Sequence, residues 1–319
     1  MDRRQFLGLV AAAGAFALPG CERREPLLRV SAITWIGYEP LFLADRFGLL
    51  PPRRIRLIES PSNTNSLMQL ASGEAEAATL TLDEFILARA GDVPVDIALV
   101  FDTSNGADAV MVRPEIEEPA DLRGRRIGVE DTAAGALMLT RTLEAGGLER
   151  DDIERVPLSA GGQLAAYRDR RVDAVISHEP YATRLARAGA RRLYDSRAFP
   201  GLITDVLAVR RDAMDRMPRA LHTLVDAHFD ALARFRSNPG RAHVLMAPRL
   251  ELTVDELDRA FEGIHLLDIR DNHRWLGGDQ RPLRSTARTV TTIMQENRLI
   301  DTPPDLERLG TPRFLPEAP

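Results

Sequence analysis

The order of short and long hydrophobic patterns leaves few folds open to this chain. From Leu28 onward, short β-branched or apolar runs alternate with stretches carrying the three-to-four spacing of amphipathic helices. That alternation marks βαβ units and a mostly parallel sheet, hence an α/β fold. Strands are expected at residues 29–34, 55–59, 77–80 and 97–101, with helices at 39–47, 64–72 and 83–90 between them. Ser62-Asn63 offers a polar N-cap for the second helix, because a short oxygen side chain can accept from a free amide of the first turn. At 319 residues the chain exceeds one ordinary core, domains running to roughly 100–150 residues, so two lobes are expected.

The lobes echo each other. Sliding the sequence by about 97 residues lays Arg126-Ile127 over Arg29-Val30, and LAAYRDRRVDAVISHE (164–179) over LMQLASGEAEAATLTL (67–82). Leu164 then matches Leu67, Asp173 matches Glu76 and Ala174 matches Ala77, each copy reading as a helix, a tight link and a buried strand. The identities are few, and shared topology is the safer inference. Residues 204–210 read as a strand returning from the second lobe, and 212–314 as largely helical. Leu221, Leu224, Val225, His228, Phe229 and Leu232, then Leu257, Phe261 and Ile264, hold helical spacing. This tail is expected to pack on lobe one, with hinge crossings near Arg113 and Asp205. Lobe one would comprise 26–113 plus 207–319, and lobe two 114–206.

Residues 1–21 read as an address. Arg3-Arg4, an apolar run from Phe6 to Leu18 and small residues before Cys21 make a signal peptide. The run is too short to span a bilayer comfortably, which takes about 20 residues. Arg3-Arg4 with Phe6-Leu7 resembles a twin-arginine export signal. Leu18-Pro19-Gly20-Cys21 resembles the lipobox of bacterial lipoproteins, in which the cysteine is lipidated and becomes the first residue, although Pro19 is an uncommon occupant. The expected location is outside the cytoplasmic membrane, anchored through Cys21.

Charge narrows the function. The formal net charge is −5, and losing Asp2, Arg3 and Arg4 with the leader makes it −6. A nucleic-acid binder needs a basic face, so no nucleic-acid partner is expected. All 42 basic residues are arginine, which excludes Schiff-base and P-loop lysine chemistry. One cysteine makes no internal disulfide, and no H-x-x-x-H or C-x-x-C spacing suggests a metal, so neither metal nor cofactor is expected.

Five stretches in order carry a resemblance: WIGYEPLFLA (35–44) running on to Gly48-Leu49, LASGEAEAA, ADLRGRRIGVE, YRDRRVDAVISHEPY and PGLITDVLAVRRD. Together they resemble periplasmic substrate-binding proteins of the nitrate/sulfonate/taurine and thiamine-pyrimidine ABC importer group, well over about 28–212 and loosely over the helical tail. The resemblance implies a type II periplasmic binding protein: two βαβ lobes with a hinge and a helical C-terminal segment on lobe one. It implies a small-molecule ligand, a membrane permease and an ATPase as partners, and a monomer that is not an enzyme.

In open α/β sheets, ligands bind beyond the carboxyl ends of the strands. That rule names Thr34, Trp35, Gly37 and Tyr38 after the first strand, and Ser62 and Asn63 after the second. Thr79 and Thr81 follow the third, and Asp102 and Ser104 the fourth. Lobe two supplies Glu130, Asp131 and Thr132, then His178 and Glu179, with Asp205 at the returning crossover. Trp35 could stack on a flat ligand or pack between the lobes. Ser62, Asn63, Thr79 and Thr81 can give neutral hydrogen bonds or cap helices. Glu130, Asp131, His178, Glu179 and Asp205 have no arginine at an analogous strand end, whereas a sulfonate or nitrate pocket collects positive charge. The expectation is a neutral or cationic, nitrogen-containing solute, an aromatic heterocycle being one such form. A periplasmic sensor for a signalling kinase and an enzyme on the same fold stand as alternatives.

Overall fold

The computed structural model describes residues 25–318, so the leader and Cys21 lie outside the described residues. Two sheets organise the chain. The first has the order β11-β4-β10-β3-β1-β2, from β1 (Leu28–Ala32), β2 (Ile55–Glu59), β3 (Ala77–Thr81), β4 (Val95–Ser104), β10 (Thr204–Arg210) and β11 (Ile264–Leu266). The second has the order β7-β6-β8-β5-β9, from β5 (Asp108–Val112), β6 (Arg126–Val129), β7 (Glu154–Pro157), β8 (Ala174–His178) and β9 (Arg191–Asp195). In each sheet one strand is lent by the neighbouring stretch of chain: β10 runs antiparallel between β3 and β4, and β5 antiparallel between β8 and β9. The other central pairs, β1 with β2 and β3 and β6 with β7 and β8, are parallel.

The offset of 97 residues has a structural meaning. Arg29 donates from its backbone N to Glu76 Oε2 at 2.8 Å and from Nε at 3.1 Å. Arg126 does the same to Asp173 Oδ2, at 3.0 Å from each atom. In both lobes a carboxylate just before a buried strand ties down the first residues of its parallel neighbour.

The crossings lie earlier than expected from sequence. Asp108–Val112 pairs wholly within the second sheet, so the chain leaves lobe one between Ser104 and Asp108, not near 113, and Thr204 already pairs with Thr103 of β4. The run Ala109–Val112 is completely buried and satisfies its backbone on both sides, which a linker could not do. Ile264 also departs from the helical pattern: the helix Val254–Phe261 stops and Ile264 begins β11, which pairs antiparallel with β4. The tail's buried residues share one apolar cluster with β1, β3 and β4, the helix Pro218–Ser237 packing against the helix Glu39–Arg46. No helix among the described residues is long and apolar enough to cross a membrane.

Candidate functional site

Between the lobes lies a cavity of about 50 Å³. Trp35, Asn63, Thr81 and Asp205 border it from lobe one, and Glu130, Thr132 and His178 from lobe two. These seven are the sequence-named residues that the fold brings together. Local geometry explains the positions. Thr81 ends β3 and caps the helix Leu82–Ala90, its Oγ1 donating to Glu84 Oε2 at 3.0 Å. Thr132 caps the helix Ala133–Ala145 by accepting from Gly135 N at 3.0 Å. Asn63 opens the helix Asn63–Ser72, while Ser62 serves as its cap, accepting from Asn65 N at 3.2 Å, and does not border the cavity.

Trp35 is 4% exposed and joins the lobes: its indole N–H donates to Asp102 Oδ2 at 3.2 Å, and its ring meets the His178 ring edge-on at 5.4 Å. Asp102 itself sits one layer below the cavity wall. So does Tyr38, whose hydroxyl donates to Asp205 Oδ1. Gly37 underlies both, because a Cβ there would lie 1.9 Å from Asp102 Oδ2. Thr79 is fully buried within β3. Ser104 is held by Ser196 at 2.8 Å and accepts from Asp108 N at 3.1 Å.

Two acidic residues are placed against the sequence reading. Asp131 is exposed and pairs with Arg155, away from the cavity. Glu179 is buried, but it faces Arg192 at 2.9 Å and accepts from Thr183 N at 3.0 Å, so its charge is spent inside lobe two. Glu179 lies just past the end of β8, while Ile176, Ser177 and His178 at that end border the cavity.

Sequence reasoning missed Asp108, Ser177 and the apolar wall of Ile33, Met138, Ile176 and Ile203. The signal for Asp108 was the apolar run 109–112 behind Asn105-Gly106, a strand preceded by a turn. Three lining side chains carry buried polar atoms without a partner: Asn63 Oδ1, Asp108 Oδ2 and Ser177 Oγ. Among the described residues no arginine lines the cavity. Burial holds the Asp108 carboxyl above its ordinary range, against the opposing pull of His178. Asp205 is pushed well up by burial and then by the Asp102 charge, and Asp102 rises to about 8, chiefly through burial. Among the described residues no cluster of three His, Cys, Asp or Glu could hold a metal ion.

Two α/β lobes joined by crossing strands, with a cavity between them at their facing strand ends, define the fold of periplasmic binding proteins. The chain belongs to the NMT1/THI5 like family, whose model matches residues 54–242. It is 25% identical over 181 residues to the taurine-binding periplasmic protein of Escherichia coli K12, covering 56% of each chain. It is 26% identical over 179 residues to a putative aliphatic sulfonates-binding protein of the same organism, covering 50% of this chain and 54% of the relative. The chain thus spans about half the length of the curated relatives it matches. Among solved structures, the aliphatic sulphonate binding protein SsuA of Escherichia coli superposes with a TM-score of 0.72 at 20% identity, over 90% of this chain and 98% of that one. The alkanesulfonate-binding SsuA of Xanthomonas axonopodis pv. citri, bound to MOPS, gives 0.71 at 18% identity over 91% and 98%. The desulfurization enzyme DSZB shares the fold at 0.66 and 22% identity, over 90% and 97%.

Proposed function

We propose that this protein is the substrate-binding component of an ABC importer and that it captures a small nitrogen-bearing solute, neutral or cationic, between its lobes. The observation that carries this reading is the set of unpartnered acceptors in the cavity wall, Asn63 Oδ1 and Asp108 Oδ2, in a lining without arginine. Leaving a buried polar group unsatisfied costs about 1–3 kcal/mol. A solute offering N–H donors removes that cost, whereas a sulfonate offers only acceptors. Glu130 and Asp205 add further acidic groups around the same space.

A solute touching both lobes binds the closed arrangement better than the open one, and this difference is what a membrane permease and its ATPase would read. The family and the curated relatives support that role. The leader and Cys21 complete the proposal: export, then anchoring at the periplasmic face of a membrane through a lipidated cysteine.

A catalytic reading has one observation in its favour: Asp108 and His178 are register partners across β5 and β8, an acid and an imidazole beside the cavity. It requires turnover of a bound solute by purified protein, abolished in His178→Ala.

The binding reading is tested by calorimetric titration with alkylamines, an aminopyrimidine, taurine and nitrate at several pH values. Asp108 and Asp205 must ionise to hold a cation, so amine affinity should rise with pH, up to tenfold per unit for one proton released. Tight binding of nitrate or taurine that weakens as pH rises, with no affinity for amines or pyrimidines, would sink the proposal.

A further inference from the structure

The helix Ala133–Ala145 points its N-terminus at the cavity, which Thr132, Ala134 and Gly135 border. Such an end attracts anions, since its first amides are free and the helix dipole is positive there. In this protein the amides are taken. Asp83, from the helix Leu82–Ala90 of lobe one, reaches across and accepts from Ala133 N at 2.7 Å and Ala134 N at 3.3 Å. Thr132 takes Gly135 N from within. Asp83 is 5% exposed, and its neighbours Thr81 and Glu84 fix the start of its helix through their reciprocal cap.

We infer that Asp83 is a specificity-determining residue: its carboxylate stands in for an anion at the N-terminus of Ala133–Ala145 and so denies that end to an anionic headgroup of a solute. The inference rests on the proposed capture of a solute in this cavity. Independent support that a ligand is due there comes from Ser177, which borders the same cavity, is 3% exposed and has an Oγ without a partner. Two amide bonds to a buried acidic group at the helix end leave an incoming sulfonate neither donors nor a favourable field. The same contact explains how a chain of this family can present a cavity free of arginine and still fill its anion-attracting helix end.

The test uses sodium methanesulfonate and sodium sulfate as probes, titrated calorimetrically into the folded protein, its Asp83→Ala variant and its Asp83→Asn variant. Asp83→Ala frees both amides and removes the charge, and methanesulfonate affinity should rise at least tenfold over the parent. Asp83→Asn keeps an acceptor on the amides but removes the repulsion, and a smaller rise of at least threefold is expected. Should Asp83→Ala fail to fold, the asparagine variant decides alone. A folded variant with anion affinity unchanged from the parent overturns the inference, as does a parent that already binds methanesulfonate as tightly as the variants do. Amine titration of the parent reports separately on the solute class, so an amine that fails to bind while the variants gain anion affinity would remove the proposed ligand and leave the role of Asp83 standing.

Discussion

Asp102 and Asp205 stand opposite each other on the antiparallel strands β4 and β10, and the bonds they accept come from Trp35 and Tyr38, not from arginine. Two buried carboxyls without a countercharge cannot both ionise cheaply. Asp102 moves from an ordinary 3.8 to about 8 through burial, and Asp205 moves well up in the same direction through burial and then through Asp102.

This has a sign. The folded protein retains protons that the unfolded chain releases, so the stability these groups permit is complete below about pH 4 and lost as pH rises through about 8. The melting temperature of the empty protein should therefore fall between pH 6 and pH 9, and Asp102→Asn should flatten that fall. Differential scanning calorimetry across the range checks it. A parent whose stability rises over the same interval would contradict the protonated pair.

Gly37 is a point of close packing to probe. A Cβ at this position would sit 1.9 Å from Asp102 Oδ2 and 2.4 Å from Trp35 Nε1, within the buried 3₁₀ turn Ile36–Tyr38. Neither group can withdraw without breaking their mutual bond. Gly37→Ala should cost about 1–3 kcal/mol, the usual range for overpacking a core, read from urea denaturation. A change below about 0.5 kcal/mol would show that the turn relaxes freely.

Much of this arrangement was written locally, and the remainder was not. Strand ends and caps depend on neighbours in sequence, so Thr81, Thr132 and Asn63 could be placed from their own surroundings. The link between Glu76 and Asp173 was visible as an offset of 97 residues, because each lobe reuses the same arginine-to-carboxylate bonds. Glu179 and Asp131 could not be placed that way. Their partners, Arg192 and Arg155, lie 13 and 24 residues on, and which carboxylate an arginine meets is a property of the assembled lobe. The strand β5 was missed because its partners, β8 and β9, lie more than sixty residues further on in the chain. With it went Asp108, the lining residue whose open acceptor shapes the functional reading.

Closure of the cleft has a second fastening on its surface. Arg187, on the lobe-two helix Tyr181–Arg187, donates to Glu256 Oε1 at 2.5 Å and to Glu251 O at 2.9 Å, both in the tail of lobe one. Arg184 beside it gives Leu250 O a bond of 2.8 Å. A partly exposed ion pair is worth roughly 0–1 kcal/mol, enough to bias the lobes but not to lock them. Arg187→Ala should raise the radius of gyration of the empty protein in small-angle X-ray scattering and weaken solute binding by about two- to fivefold. An unchanged scattering profile together with unchanged affinity would make the pair decorative.

Trp35 offers an optical reading of the same motion. Of the two tryptophans, Trp275 lies in the helix Ile269–Leu276, away from the cavity, while Trp35 touches His178 of the opposite lobe. Solute binding that draws the lobes together changes the surroundings of the indole at Trp35 and leaves Trp275 as it was. The emission change on binding should therefore survive in Trp275→Phe and vanish in Trp35→Phe. Trp35→Ala should lower affinity at least tenfold. It also strips Asp102 of its indole donor, and a stability loss of about 1–3 kcal/mol is expected with it. If stability falls by that amount while affinity stays at the parent's value, Trp35 is a packing residue between the lobes and the solute sits against Asp108 and Ser177 alone.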